Sequence, residues 1–180
     1  ANSTMIALPE SAGTLTLGGG DYNLTIDGGN VSGMQTLISV NSDSILNLQD
    51  NCTITNGNVL NGAVSIVGGT FNMTGGEIKN NKATQSTYSG IFVLGNIDIT
   101  GGSICDNYAM ENNCGASIYN NKTKDITVLD QTISKKSHFT KNIINGEVKE
   151  VTSGGGTTST YSVGDVYPKD GTPIGVVFNT

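Results

Sequence analysis

The stretch "TGGEIKNNKA" at residues 74–83 returns, little changed, as "TGGSICDNYA" at residues 100–109. Setting residues 68–83 against 94–109 gives seven identities in sixteen positions at an offset of 26 residues. A fixed period of about 20 to 50 residues marks a stacked-repeat architecture, in which each repeat buries its apolar side only against its neighbours. The period therefore governs how every other part of the chain is read.

Ahead of each Gly-Gly pair lies an alternating run, "TFNMT" at 70–74 and "NIDIT" at 96–100. Phe71, Met73, Ile97 and Ile99 fall on one face while Asn72 and Asp98 fall on the other, the pattern of a half-buried strand. Leu24 with Ile26, Leu46 with Leu48, and Ile126 with Val128 extend this to five rungs spaced 22, 25, 26 and 29 residues apart. A second signature follows the Gly-Gly pair: Ile54, Gly57, Val59; Ile78, Asn81, Ala83; Ile104, Asn107, Ala109; and Phe139, Asn142, Ile144. Gly and Asn both tolerate the left-handed backbone region, so their alternation at one position is expected to mark a sharp corner. Asn56, Asn80 and Asp106 precede that position and can bond a nearby backbone group in the turn.

Strand, Gly-Gly bend, apolar step, Asn corner and a further apolar run ("AVSIV" or "GIFVL") make about three short strands per repeat. The fold class expected is all-β, a right-handed parallel β-helix. Six or seven turns at the interstrand spacing would form a rod roughly 30 Å long. An antiparallel sandwich also suits Gly-rich turns, but it gives no reason for identities that fall on turns and strands together. Residues 1–150 are expected to form the solenoid, with residues 1–14 beginning as a cover for the first turn. Residues 151–180 lose the repeat spacing and are expected to form a C-terminal cap or tail, turning at residues 168–171.

Composition narrows the function. The 180 residues carry a net charge of −6, and all nine cations are Lys. Nucleic acid calls for a basic face and typically Arg, so it is excluded as a partner. With no run of about 18 apolar residues, membrane insertion by this segment is not expected, and residues 1–10 lack the pattern of a signal peptide. Cys52, Cys105 and Cys114 form no CxxC and stand apart from His138, which argues against zinc. A Cys105–Cys114 bridge stays open. His138, beside Lys135 and Lys136, is expected in an exposed loop, and "GGGD" at 18–21 lacks the repetition of a calcium-binding turn.

The motif Gly-Gly-x-Ile-x-x-Asn-x-Ala, at Gly75, Gly76, Ile78, Asn81, Ala83 and again at Gly101, Gly102, Ile104, Asn107, Ala109, resembles the β-helical repeats of bacterial surface proteins. The nearest named relatives are polymorphic outer membrane proteins and adhesin-like proteins of anaerobic gut microbes. The resemblance covers about residues 20–145 and implies an exported, surface-associated rod, extracellular or on the cell surface. The repeats carry little information, and a fold does not by itself define an activity.

Parallel β-helices also serve as polysaccharide lyases and glycoside hydrolases. The lyase reading lacks the usual Arg base and would have to use Lys79, Lys82, Lys122 or Lys124. The hydrolase reading needs two carboxylates about 5 to 9.5 Å apart. The outward column Thr25, Asn47, Asn72, Asp98, Thr127 holds one acid, and Asp27, Gln49, Thr74, Thr100 holds one. The sequence therefore assigns no catalytic, cofactor-binding or metal-binding residue. It points to a non-catalytic structural or adhesive segment, either a solvated spacer or a rod whose polar face would bind a glycan or a host surface protein. A carbohydrate-active enzyme is the alternative.

Overall fold

The computed structural model describes residues 3–83, 90–109 and 118–149. Cys114 and the expected C-terminal cap at 151–180 lie outside them. The described residues are all-β, without a helix, and coil into a β-solenoid of about three turns.

Three parallel sheets run along it. The first contains β1 (Thr4–Leu8), β4 (Thr36–Asn41), β7 (Val64–Val67), β11 (Ile91–Val93) and β15 (Ile118–Asn120). The second contains β2 (Thr14–Leu17), β5 (Ile45–Leu48), β8 (Thr70–Met73) and β12 (Asn96–Ile99). The third contains β3 (Leu24–Asp27), β6 (Cys52–Thr55), β9 (Glu77–Lys79) and β13 (Ser103–Cys105). A two-residue pair, β10 (Lys82–Ala83) with β14 (Tyr108–Ala109), follows the third corner. One strand from each sheet makes a layer, and three steps separate the first complete layer from the fourth.

Parallel, in-register pairing puts like side chains above like. Leu15, Leu46, Phe71 and Ile97 form one column; Ile26, Ile54, Ile78 and Ile104 form another. Ile38, Val64, Ile91 and Ile118 form the third. Ile38, Leu46, Ile54, Phe71, Ile78 and Ile104 are all fully excluded from solvent. The main core is thus filled by aliphatic columns, which explains how a chain with 6% aromatic residues can order itself.

The corner after the third sheet differs from the sequence-based reading by one residue. The left-handed residues are Asn56, Asn80 and Asp106, with φ of 55°, 55° and 54°, and not Gly57, Asn81 and Asn107. Asn and Asp are the non-glycine residues that enter this region most readily. Asn81 and Asn107 instead turn inward, 0% and 3% exposed. Asn107 Oδ1 accepts from Asn81 N–H at 3.1 Å and Asn81 Nδ2 at 3.0 Å. Asn81 Oδ1 in turn accepts from Gly57 N–H at 2.9 Å, and Asn81 Nδ2 donates to Ile54 O at 3.1 Å. This ladder satisfies corner backbone groups that no strand can reach.

Two of the five expected rungs sit elsewhere. Leu15 and Leu17 lie under Leu46 and Leu48, whereas Leu24 and Ile26 belong to the next sheet, under Cys52 and Ile54. Strand alternation is the same on every side of a solenoid, so a plausible spacing alone chose the wrong strand. Ile126 and Val128 do not stack at all. They lie in β16 (Ile126–Val128), which folds back antiparallel on β17 (Gln131–Ile133) through Leu129 and Asp130, both at positive φ. A two-residue loop with both φ positive matches the twist of an antiparallel pair.

The solenoid is closed by reversed strands, so among the described residues it stops short of the six or seven turns expected. β18 (Ser137–Phe139) runs antiparallel to β15, and β19 (Asn142–Ile144) antiparallel to β13. A second hairpin joins β19 to β20 (Glu147–Lys149) through Asn145-Gly146, again both at positive φ. Phe139, Asn142 and Ile144 are therefore cap strands and not another corner. Asn120 ends the column Leu8, Val40, Ile66, Val93. It is fully buried, and its Nδ2 donates to Ile133 O and Ser134 O at 3.0 Å, tying the β16–β17 hairpin over the core. At the other end, Thr4–Leu8, in the stretch expected to cover the first turn, is itself a stacked strand.

Replacing Asn81 by Ala strands Gly57 N–H and Ile54 O in a dry corner and is expected to cost about 2–4 kcal/mol in urea denaturation. Asn81→Asp keeps the acceptor, loses the donations and buries a charge, and should fall at least as far. A midpoint unchanged in both variants would remove the ladder from the account of stability.

Candidate functional site

The corner between the second and third sheets carries a groove of about 710 Å³. It crosses successive layers. Its floor is backbone, from Gly76, Gly101 and Gly102. Gly76 and Gly102 have φ of 73° and 76°, and a Cβ on Gly102 would lie 2.5 Å from Gly75 O. The Gly-Gly pair that revealed the repeat is thus required twice over, by the left-handed bend and by the close approach of the layer beneath.

One wall is the outward column of the third sheet, Thr53, Glu77 and Ser103, which are direct register partners. Thr74 and Asp50 come from the second-sheet side. Asn145, in the β19–β20 turn, closes the far end by donating its N–H to Ser103 Oγ at 3.0 Å, while Gly146 N–H donates to Gly102 O at 2.8 Å. Asn23 and Asn51 line the near end. The volume lies within the range of sites that take small ligands, about 300–1,000 Å³. The lining consists mainly of hydroxyls, amides, two carboxylates and backbone groups.

Asp50 and Glu77 therefore face one groove, although no sequence column contains both. Asp50 sits on a bend and Glu77 on a strand, so alternation along any one strand does not relate them. Glu77 is already engaged, ion-paired to Lys79 Nζ at 2.5 Å and accepting from Thr53 Oγ1 at 3.2 Å. Asn47, Asn72 and Asp98 do form an outward column on the second sheet, with Thr16 in place of Thr25. Asn72 Nδ2 donates to Asn47 Oδ1 at 2.9 Å, and Asn47 Nδ2 donates to Thr16 Oγ1 at 3.2 Å. Thr25 and Asp27 stand on the third sheet, and Thr127 in the cap hairpin.

Of the four Lys residues considered as a base, none lines the groove. Lys79 holds Glu77, and Lys122 Nζ donates to Gly95 O at 2.8 Å. Among the described residues no group of three or more His, Cys, Asp or Glu is arranged to hold a metal ion. His138 is not in a loop. It lies in β18, half-buried, its ring stacked on Tyr119 with centroids 4.4 Å apart. Burial lowers its pKa. Phe92, Tyr119 and His138 are register partners on the outside of the first sheet, an aromatic stripe hidden in the sequence because the layers are unequal in length.

The acid most strongly perturbed lies at the other corner. Asp106 is 8% exposed, and its Oδ1 is buried without a hydrogen-bond partner. Burial pushes its pKa up to about 6, against the opposing effects of a hydrogen bond with Cys105 and of Lys79. Cys105 is pushed up to about 12, first by burial and then by the Asp106 charge. Cys52 is raised by burial. Both are free thiols.

The architecture defines the chain as a β-solenoid repeat protein. No protein-family model, curated protein or solved structure matches it.

Because the folded pKa of Asp106 exceeds the unfolded value of 3.8, its favourable contribution is complete below about pH 4 and disappears as pH rises through about 6. Asp106→Asn, which restores the Asn present at positions 56 and 80, should stabilise the protein by on the order of 1–2 kcal/mol above pH 6 and little below pH 4. Parallel pH profiles for the two proteins would contradict this. Cys52 and Cys105 should be alkylated slowly at neutral pH and readily once unfolded, because the thiolate is the reactive form. Peptide mass spectrometry follows each separately, and rapid labelling of native Cys105 would show that its thiol is not protected.

Proposed function

We propose that this solenoid is a non-catalytic structural or adhesive segment of an exported bacterial cell-surface protein, and that the groove over the Gly-Gly corner binds glycan. The surface role rests on the resemblance of the Gly-Gly-x-Ile-x-x-Asn-x-Ala repeats to those of bacterial surface proteins. The winding is right-handed in this reading, the hand that parallel crossover connections overwhelmingly take.

The groove is the observation that carries the binding role. Thr53, Thr74 and Ser103 offer hydroxyls, Asn23, Asn51 and Asn145 offer amides, and Asp50 and Glu77 offer acceptors. A polyhydroxylated chain exchanges its water bonds for bonds to such groups without finding an apolar pocket. Because the lining crosses layers, it suits an extended chain. The rod supplies rigidity at no extra entropic cost, since the groove walls are strands already held by neighbours on both sides.

The second reading, a carbohydrate-active enzyme, is favoured by one feature, the presence of Asp50 and Glu77 in the same groove. A retaining or inverting pair needs one carboxyl kept protonated as the acid. Glu77 is instead ion-paired with Lys79, and the acid that burial does raise, Asp106, is not part of the lining.

A glycan array probed with the intact chain is expected to give a restricted set of spots. Thr74→Lys, which places a long side chain across the groove from an exposed position, should reduce them about tenfold. Spots insensitive to this change would move the binding face elsewhere, and a blank array would leave a spacer. Product release from the bound glycans in reducing-sugar and unsaturated-product assays would establish the enzyme instead.

A further inference from the structure

The groove over the Gly-Gly corner contains one acid that no described residue engages. Leu48, Met73 and Ile99 are register partners at the ends of β5, β8 and β12, so the residues two further on, Asp50, Gly75 and Gly101, hold the same place in successive layers. Only Asp50 has a side chain there. A Cβ on Gly75 would collide with Asp50 Oδ1 and lie 2.6 Å from Asp50 N. The carboxylate thus rests against the backbone of the next layer, in space that Gly75 leaves open.

The two carboxylates of the lining are differently employed. Glu77 is ion-paired to Lys79 and accepts from Thr53. Among the described residues no hydrogen bond or ion pair holds the Asp50 carboxylate, and no Lys belongs to the lining. Residues 150–180 do not reverse the balance, since they add Glu150, Asp165 and Asp170 against Lys169, and the whole chain carries −6. A ligand carboxylate brought here would meet like charge on a wall with no cation to offset it. A protonated amine has three donors and no acceptor, and it makes the stronger, charge-assisted kind of hydrogen bond with a carboxylate. N-acetylation removes that charge and leaves a single N–H.

We propose that the groove selects amine-bearing glycans, polymers of amino sugars with free amino groups, over neutral and uronate-containing ones, and that Asp50 reads the ammonium. This inference rests on the glycan-binding reading of the groove and adds its charge class. The hydroxyls of Thr74 and Ser103 bond ring hydroxyls, which every sugar carries, so they contribute affinity without choosing among charges. The choice comes from Asp50, and because that residue is exposed, salt weakens it.

Isothermal titration of the intact chain tests it with oligomers of β-linked glucosamine, the same oligomers fully N-acetylated, and oligomers of galacturonic acid of equal length. At about pH 5.5, below the titration range of amines, the glucosamine oligomer is expected to bind about fivefold more tightly than its N-acetylated form, and the uronate most weakly. Added salt should narrow the gap by weakening the glucosamine oligomer alone. Asp50→Asn keeps the shape of the side chain and should abolish the preference without lowering affinity for the N-acetylated form. Asp43→Asn removes the same charge from an exposed position outside the lining and should keep the preference. Circular dichroism should show both variants folded as the parent, and the ligand comparison and salt series on the parent decide the matter without them. Equal binding of the glucosamine and N-acetylated oligomers, or a preference lost equally in Asp43→Asn, would overturn the charge class and leave glycan binding standing. A glucosamine oligomer that does not bind overturns it too, and together with a blank glycan array removes the groove's glycan reading as well.

Discussion

The bond from Asn81 to Asn107 states the constraint on which the rest of the molecule depends: each layer must lie in register on the one before it. A parallel stack has no hairpin turns to set its pairing, so register comes from the side chains that repeat. The aliphatic columns provide most of the burial, yet they are tolerant, since Leu, Phe and Ile succeed one another at Leu46, Phe71 and Ile97. The amide ladder is selective. Asn81 can serve Gly57 and Ile54 below it and Asn107 above it only when all three layers are aligned. A slip of one residue would turn every apolar side chain outward as well as breaking the ladder.

Corners follow from the same constraint. Strands stack at a fixed separation, so the bends between them must stack too, and side-chain volume at a bend has to suit the layer below. Gly76 and Gly102 at one corner and Asn56, Asn80 and Asp106 at another meet this requirement with left-handed backbones. The groove lies over the glycine corner, bordered by Thr53, Glu77 and Ser103. Asp106 shows the opposite case. It has the backbone conformation of its Asn counterparts, but its charge and its buried Oδ1 make it the least comfortable member of the series.

The stack must also end. Reversal of chain direction at β16 to β20 achieves this on one side: antiparallel strands pair with the last parallel strands of the first and third sheets, and Asn120 replaces an aliphatic residue at the top of its column to bond the covering hairpin. Lys side chains are concentrated in this terminal layer, where charge discourages further pairing of like ends. The opposite end has neither the reversal nor the lysines. The rod therefore has a direction, chemically as well as topologically.

Much of this was legible in the chain alone. The 26-residue offset, the Gly-Gly bend, the inward Ile and Phe positions and the stacked Asn81 and Asn107 all follow from residues that recur because parallel stacking demands the same side chain at the same place. Sequence by itself thus determined an all-β coil with about three strands per layer. Only the tertiary structure decided that Leu15 and not Leu24 begins the second sheet, that Ile126 turns back, that His138 stacks on Tyr119, and that Asp50 and Glu77 share a groove. The reason is physical: alternation reports which side of a strand is buried, but it is blind to strand direction and to which neighbour lies alongside. Those relations arise between segments far apart in the chain, and they are settled by packing and by backbone bonds across layers.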